Sequence, residues 1–195
     1  SAAIELGKLG VDVILIDDKH RLGGKLVLQT HRFFGSTEAV FASTRGIDIA
    51  TKLEKEVRSF QSIQIWTQTT CLAVFSDKKI GVLKNGKEYV LVVPQVLLVA
   101  TGAREKFLAF KGNSLPGVYG AGAFQTLVNR DLDRPSEELF RVGGGYVGLT
   151  AAYYGLQAGV GVVGLVDAIP KCGGYDAHNV QLVRLWVSIY TAYPI

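Results

Sequence analysis

Two tandem βαβ units of an α/β protein are predicted by three features of this 195-residue sequence. The first is an internal repeat, in which AAIELGKLGVDVILID (2–17) is matched by AAYYGLQAGVGVVGLVD (151–167). The second is the pattern within each copy, where a helix-like stretch leads into a valine-rich run ending at Asp17 or Asp167. The third is composition, because 48% hydrophobic and 19% charged residues with only 5 prolines are typical of a compact α/β protein.

Glycines in GxGxxG spacing, Gly143, Gly145 and Gly148, directly precede the second copy. They follow a short apolar run and open a helix-like stretch, which is the context of a dinucleotide site. The first glycine permits a tight turn, the second lets a pyrophosphate approach the backbone, and the third lets the helix pack on the strand. Asp167 ends the next strand, where its carboxylate accepts from a ribose hydroxyl and favours NAD(H) over NADP(H) by repelling a 2′-phosphate.

In the first copy, the corresponding glycines would fall immediately before Ser1. Residues 1–18 are therefore expected to be the helix and second strand of another βαβ unit, and the sequence is expected to be a fragment truncated at both ends. Asp17 would be the ribose acid of this unit, and the alternative is a solvated carboxylate at a strand end. The second valine-rich run has one more residue than the first.

Between the two copies, residues 25–50 lack clean periodicity and are expected to form a long connection. TKLEKEVRSF (51–60) reads as an amphipathic helix, and the following β-rich runs predict a hairpin or meander insertion with its turn at Asn85-Gly86. QVLLVATGA (95–103) is predicted to be a strand buried on both faces of a parallel sheet.

A polar, proline-containing stretch at 131–137 follows a predicted helix that starts near Ala123. It is predicted to link a domain at 1–130 to a second domain at 138–195. The closing sequence QLVRLWVSIYTAYPI is expected to form a helix and a strand.

Several function classes are disfavoured by charge and composition. The net charge is +4, but the basic residues are scattered, so nucleic-acid binding is not expected. The uncharged stretch 146–166 is long enough for a membrane span, yet its glycine-rich second half favours two buried elements. Cys71 and Cys172 form no CxxC, which fits a reducing cytoplasm, and no metal-ligand spacing is present.

Four segments carry a resemblance to a known family: LGGK (22–25), ATGAREK (100–106), LPGVYGAGAFQTLVNR (115–130) and VGGGYVGL (142–149). Together they resemble the two-dinucleotide-binding-domain FAD/NAD(P)-dependent oxidoreductases, which are pyridine nucleotide-disulfide oxidoreductase-like. The branch they resemble includes the alpha subunits of sarcosine oxidase and dye-linked proline dehydrogenase and a hydrogen cyanide synthase subunit.

The resemblance implies tandem Rossmann-like units, the first binding FAD and the second NAD(H). It places Gly23 and Gly24 beside the flavin phosphates or ring, and Thr101-Gly102 over the FAD. A flavin carries the hydride chemistry, and the protein positions and tunes it.

Three side chains that follow the glycine pair, Lys25, Gln29 and His31, are candidates to line the flavin ring. Lys25 would bind the flavin and stabilise its anionic reduced form, so Lys25 and His31 are the catalytic candidates. His31 would act as a base, although a lone histidine is more often structural.

Two residues depart from the family pattern. Arg141 introduces a charge into a strand that is usually aliphatic, and Tyr146 is bulky where a small or amide residue is usual. A buried unpaired charge at Arg141 would be costly, and the bulk of Tyr146 would stand near the phosphates. Both departures predict weaker NAD binding.

Three functions remain open. The first is an FAD-dependent oxidoreductase that moves electrons between an amine or amino acid, a pyridine nucleotide and a partner subunit, and it is expected to be an oligomer. The second is an NAD(P)H:acceptor flavin reductase without amine chemistry. The third is a non-catalytic nucleotide-binding subunit of a redox complex.

Overall fold

Two compact units, Ser1–Gly102 and Ala103–Ile195, make up the chain. The computed structural model describes residues 1–32, 34–173, 184 and 187–193. Each unit contains parallel strands and helices, so the predicted α/β class is confirmed. The predicted division of cofactors between 1–130 and 138–195 stays a prediction.

The first unit begins with the predicted helix and strand. Helix α1 (Ala2–Lys8) leads into strand β1 (Val13–Ile16), which pairs in parallel with β2 (Ile63–Trp66). Gly7 lies so close to the Phe60 ring that a side chain would collide with it. The absence of a Cβ at Gly7 therefore lets α1 pack closely on the segment that precedes β2.

The prediction that residues 25–50 form a long irregular connection is wrong in part. It contains a 3₁₀ helix (Gly24–Leu28) and a short helix α2 (Thr37–Val40), and helix α3 (Gly46–Val57) starts within it. Helix α3 begins earlier than the predicted start at residue 51, because Ile49 and Ala50 extend its buried face toward the N-terminus.

An antiparallel sheet of β3 (Thr69–Val74), β4 (Ile80–Lys84) and β5 (Glu88–Val92) forms the predicted insertion. Strands β4 and β5 meet at the predicted turn, where Asn85 and Gly86 have φ of 51° and 67°. Positive φ at both positions is the signature of a type I′ hairpin turn.

The predicted buried strand at 95–103 is not a strand in the structure. Val96 is 85% exposed and Val99 is 68% exposed. An apolar segment becomes a buried strand only where neighbouring strands accept its backbone hydrogen bonds. The described parallel sheet of this unit contains β1 and β2 alone, and neither pairs with the segment.

The second unit repeats the βαβ pattern in full. After helix α4 (Ala121–Asn129) come β6 (Glu138–Val142), α5 (Tyr146–Gln157), β7 (Gly161–Val166) and β8 (Ile189–Tyr190). The strands lie parallel in the order β6-β7-β8. The predicted β8 is confirmed, whereas most of the helix predicted before it lies outside the described residues.

The extra residue of the second repeat appears as a β-bulge. Leu139 pairs with Val162, but Phe140 pairs with Gly164, so Val163 has no partner in the register. A bulge accommodates one inserted residue while it keeps the strand in the sheet.

Helix α5 and strand β7 divide the uncharged stretch at 146–166 between them, as predicted. Within the described part of the chain, no helix is both long and apolar enough to cross a membrane.

Candidate dinucleotide-binding site

The glycine-rich loop of the second unit connects β6 to α5 at the carboxyl edge of the parallel sheet. The Gly143 N–H donates to the Val166 carbonyl at 2.8 Å, and the Asp167 N–H donates to the Tyr190 carbonyl at 2.8 Å. The first bond holds the loop beside the end of β7, and the second joins the ends of β7 and β8. Ligands of open α/β sheets bind at this edge.

Each fingerprint glycine occupies a different environment. Gly143 has a φ of 93°, which favours a residue without a Cβ, and a Cβ on Gly145 would meet no atom within 4 Å. A Cβ on Gly148 would collide with the Gly143 carbonyl oxygen. The three positions therefore give the turn, the open backbone surface and the close helix contact that a bound pyrophosphate requires.

The N-terminus of α5 is open to an anion. Its N-cap, Gly145, makes no side-chain hydrogen bond to the helix, and the first turn contains no acidic residue. The first backbone N–H groups and the helix dipole are thus available to a phosphate. Together with the open surface at Gly145, this arrangement fits a dinucleotide pyrophosphate.

Asp167 is buried, and its carboxylate is bound to the glycine loop. Its Oδ2 accepts from the Gly144 N–H at 2.7 Å, and its Oδ1 accepts from the Ile169 N–H at 3.3 Å. The acid therefore fixes the loop conformation in addition to its predicted role at a ribose. Only the tertiary structure connects these residues, which are separated by most of a βαβ unit.

Gly144, the middle glycine of the run 143–145, lies outside the GxGxxG pattern and was not among the predicted site residues. A Cβ there would lie 2.7 Å from Asp167 Oδ2 and would collide with Cys172 Sγ. The signal was the run of three consecutive glycines, of which the GxGxxG pattern explains only the outer two. Burial, and secondarily the nearby Asp167 carboxylate, raises the pKa of the Cys172 thiol above its ordinary value.

In the first unit, the predicted FAD residues follow β1. Asp17 Oδ1 accepts from the Lys19 N–H at 2.9 Å. Gly23 (φ 120°) lies against Ala50, where a Cβ would be 2.6 Å from the Ala50 Cβ, and Gly24 (φ 51°) faces open space. Gly23 is thus required by packing against α3, whereas Gly24 leaves its backbone uncovered for a ligand.

The remaining predicted residues have contrasting exposure. Lys25 is exposed at the start of the 3₁₀ helix, and Thr101 and Gly102 are exposed in an irregular segment. His31 is only 3% exposed and stacks on Phe34, with 4.9 Å between ring centroids. The roles of these residues at a flavin stay predictions.

No group of three or more possible metal ligands occurs among the described residues. Cys71 is exposed in the first unit, and Cys172 is buried in the second.

The fold and site thus define the class of the protein. It is an α/β protein with a dinucleotide-type loop, an uncapped helix and an acid at a strand end. The family model for pyridine nucleotide-disulphide oxidoreductases matches residues 1–183. The chain belongs to this family, which confirms the predicted assignment to FAD- and NAD(P)-dependent oxidoreductases.

Individual relatives agree with this assignment. The chain is 30% identical over 197 aligned positions to the sarcosine oxidase subunit alpha of Rhizobium meliloti, covering 94% of the chain and 19% of the relative. It is 27% identical to the hydrogen cyanide synthase subunit HcnB of Pseudomonas aeruginosa, covering 86% of the chain and 36% of the relative. The chain therefore spans well under half the length of these curated relatives.

Among solved structures, thioredoxin reductase of T. acidophilum superposes with a TM-score of 0.71 at 15% identity. The match covers 97% of this chain and 59% of the reductase chain. At this identity the likeness shows the fold alone, which is of the predicted α/β class.

Proposed function

We propose that the chain is the nucleotide-binding part of an FAD-dependent oxidoreductase that passes electrons between an amine or amino-acid substrate and a pyridine nucleotide. A partner subunit or another acceptor would also take part in the electron transfer. The observation that carries the proposal is the loop at Gly143–Gly148, whose open backbone and uncapped helix lie beside the buried Asp167.

In the second unit, Gly143 and Gly145 would place the backbone against the pyrophosphate of NAD(H), and the first turn of α5 would supply N–H donors. Each oxygen of the Asp167 carboxylate accepts one backbone N–H, from Gly144 or Ile169, and keeps a further lone pair. These lone pairs would accept a hydrogen bond from a ribose hydroxyl. These contacts would orient the nucleotide along the carboxyl edge of the sheet.

In the first unit, Asp17, Gly24 and the Thr101-Gly102 segment would contact FAD, which supplies the capacity to accept and donate hydride. Gly23 would position Gly24 through its contact with Ala50. Exposed Lys25 would place a positive charge near the flavin, and His31 would be the candidate base.

Amine chemistry is supported by the curated relatives. The name of one of them, sarcosine oxidase subunit alpha, specifies an N-methyl amino acid, and both names describe subunits. The proposal of a partner subunit rests on those names together with the family membership of this chain.

The test uses the full-length protein that contains this chain. We expect a flavin absorption spectrum, FAD in the released cofactor by mass spectrometry, and anaerobic bleaching of the flavin by sarcosine or proline. Bleaching by NADH but by neither amine would indicate the NAD(P)H:acceptor reductase instead. A colourless protein that binds NAD⁺ without flavin would indicate the non-catalytic subunit.

A further inference from the structure

Arg141 lies in strand β6, directly behind the glycine loop. A Cβ built on Gly148 would be 3.1 Å from both Nε and Nη2 of Arg141. The guanidinium therefore occupies the space between the strand and the first turn of α5. Its Nε is buried and has no hydrogen-bond partner among the described residues.

The surroundings of this guanidinium leave its charge poorly compensated. Burial lowers the pKa of Arg141, and the field of Glu105 opposes that shift only in part. The side chain still carries its proton at neutral pH, because an arginine is effectively always charged. A partly buried cation thus lies near the N-terminus of α5, where the helix dipole is also positive.

The Glu105 carboxylate binds the backbone of helix α4 and forms no ion pair with Arg141 among the described residues. Its Oε2 accepts from the Gly122 N–H at 2.9 Å, in the first turn of α4. Its influence on the guanidinium is through space. The Arg141 charge is therefore left without a direct carboxylate partner among the described residues, and an anion bound at the loop would compensate it.

We propose that Arg141 is a positioning residue for the nucleotide, whose partly buried charge strengthens binding of the pyrophosphate at the loop and destabilises the nucleotide-free protein. This inference rests on the proposed nucleotide site. It reverses the expectation from sequence that a charge in this strand weakens binding, because the structure places the charge beside the helix terminus that would receive the anion.

The test compares Arg141→Leu with the unchanged chain by calorimetric titration with NAD⁺, ADP and AMP. We expect the Kd for NAD⁺ and ADP to rise about tenfold, with a smaller rise for AMP, because AMP carries less phosphate charge. The melting temperature without nucleotide is expected to stay the same or rise, since an apolar residue often replaces a buried charge without loss. Arg134→Leu removes the same charge from the exposed linker and is the matched control, with an unchanged Kd.

A second variant tests the electrostatic origin. Glu105→Gln keeps an oxygen that can accept from the Gly122 N–H but removes the negative charge opposing Arg141. We expect it to tighten NAD⁺ binding about twofold to threefold, and to have no effect in the Arg141→Leu background.

Several outcomes would overturn the inference. If Arg141→Leu binds NAD⁺ as tightly as the unchanged chain, Arg141 has no role in binding, although the proposed site stands. If its Kd rises equally for all three ligands while its melting temperature falls, the role of Arg141 is structural only. If the unchanged chain binds none of the ligands, the nucleotide site itself is refuted, and this inference with it.

Discussion

Single residues around the glycine loop divide into those required by packing and those required by a ligand. Gly148 belongs to the first kind, because a Cβ there would collide with the Gly143 carbonyl oxygen. We assign Gly145 to the second kind, because a Cβ there would meet no atom within 4 Å and its φ of −69° is open to any residue. The two glycines should therefore respond differently to the same substitution.

We predict that Gly148→Ala lowers the free energy of unfolding by about 1–3 kcal/mol through overpacking. Gly145→Ala should leave stability within about 0.5 kcal/mol and raise the Kd for NAD⁺ at least tenfold, because its methyl group would stand where the pyrophosphate approaches. Urea denaturation and nucleotide titration measure the two effects. A Gly145→Ala variant with normal NAD⁺ affinity would contradict the proposed position of the pyrophosphate.

Asp167 should determine the choice between NADH and NADPH. We predict that Asp167→Asn reduces the preference for NADH about tenfold, because the 2′-phosphate is no longer repelled while the amide oxygen can still accept from the Gly144 N–H. The measurement is the ratio of the two dissociation constants. Asp17→Asn in the first unit is the control, and a preference for NADPH in the unchanged chain would contradict the assignment.

Cys172 should be unreactive in the folded chain. Its burial and its raised pKa keep the thiol protonated near neutral pH, whereas Cys71 is exposed. We predict that iodoacetamide at pH 8 alkylates Cys71 at least tenfold faster, with site-resolved rates measured by mass spectrometry. Equal rates in the native chain and faster labelling of Cys172 would both count against this prediction.

The raised pKa of Cys172 also makes the stability of the folded chain depend on pH in the alkaline range. Because the folded-state pKa is raised, the stabilising effect is complete below the unfolded-state pKa and is lost as the pH rises through the folded-state pKa. The unfolding free energy of the unchanged chain should therefore fall more than that of Cys172→Ala between pH 8 and pH 11.

At the scale of elements, the β4–β5 hairpin depends on its turn. Gly86 has a φ of 67° and faces open space, so a side chain there meets no steric contact but adopts a disfavoured backbone conformation. We predict that Gly86→Ala lowers the free energy of unfolding by about 1 kcal/mol. Lys87→Ala, at an exposed neighbouring position, should change it by less than about 0.5 kcal/mol. Urea denaturation compares the two variants, and equal effects would show that the turn conformation is not limiting.

At the scale of the whole molecule, the nucleotide should act on one unit selectively. We predict that NAD⁺ slows hydrogen exchange at the backbone amides of the loop and first turn of α5, because these N–H groups would bind phosphate. The amides of the β3-β4-β5 sheet in the other unit serve as the internal control. Mass spectrometry of peptides from both units measures the difference, and uniform protection would argue against a site at this loop.

The sequence by itself determined the elements whose signals are local. The repeat predicted α1, β1, α5 and β7, and the Asn85-Gly86 pair predicted the hairpin turn, because side-chain period and permitted φ are properties of a few adjacent residues. The glycine spacing likewise predicted the loop at Gly143–Gly148. The extra residue of the second repeat was visible in the sequence, but its form as a bulge at Val163 was not.

The tertiary structure decided which distant groups meet. It tied Asp167 to Gly144, placed Arg141 behind Gly148, and left 95–103 exposed although its composition suits a buried strand. The physical reason is common to all three. A hydrogen bond, a buried charge or a sheet position depends on partners brought together by the return of the chain, and no local pattern specifies those partners.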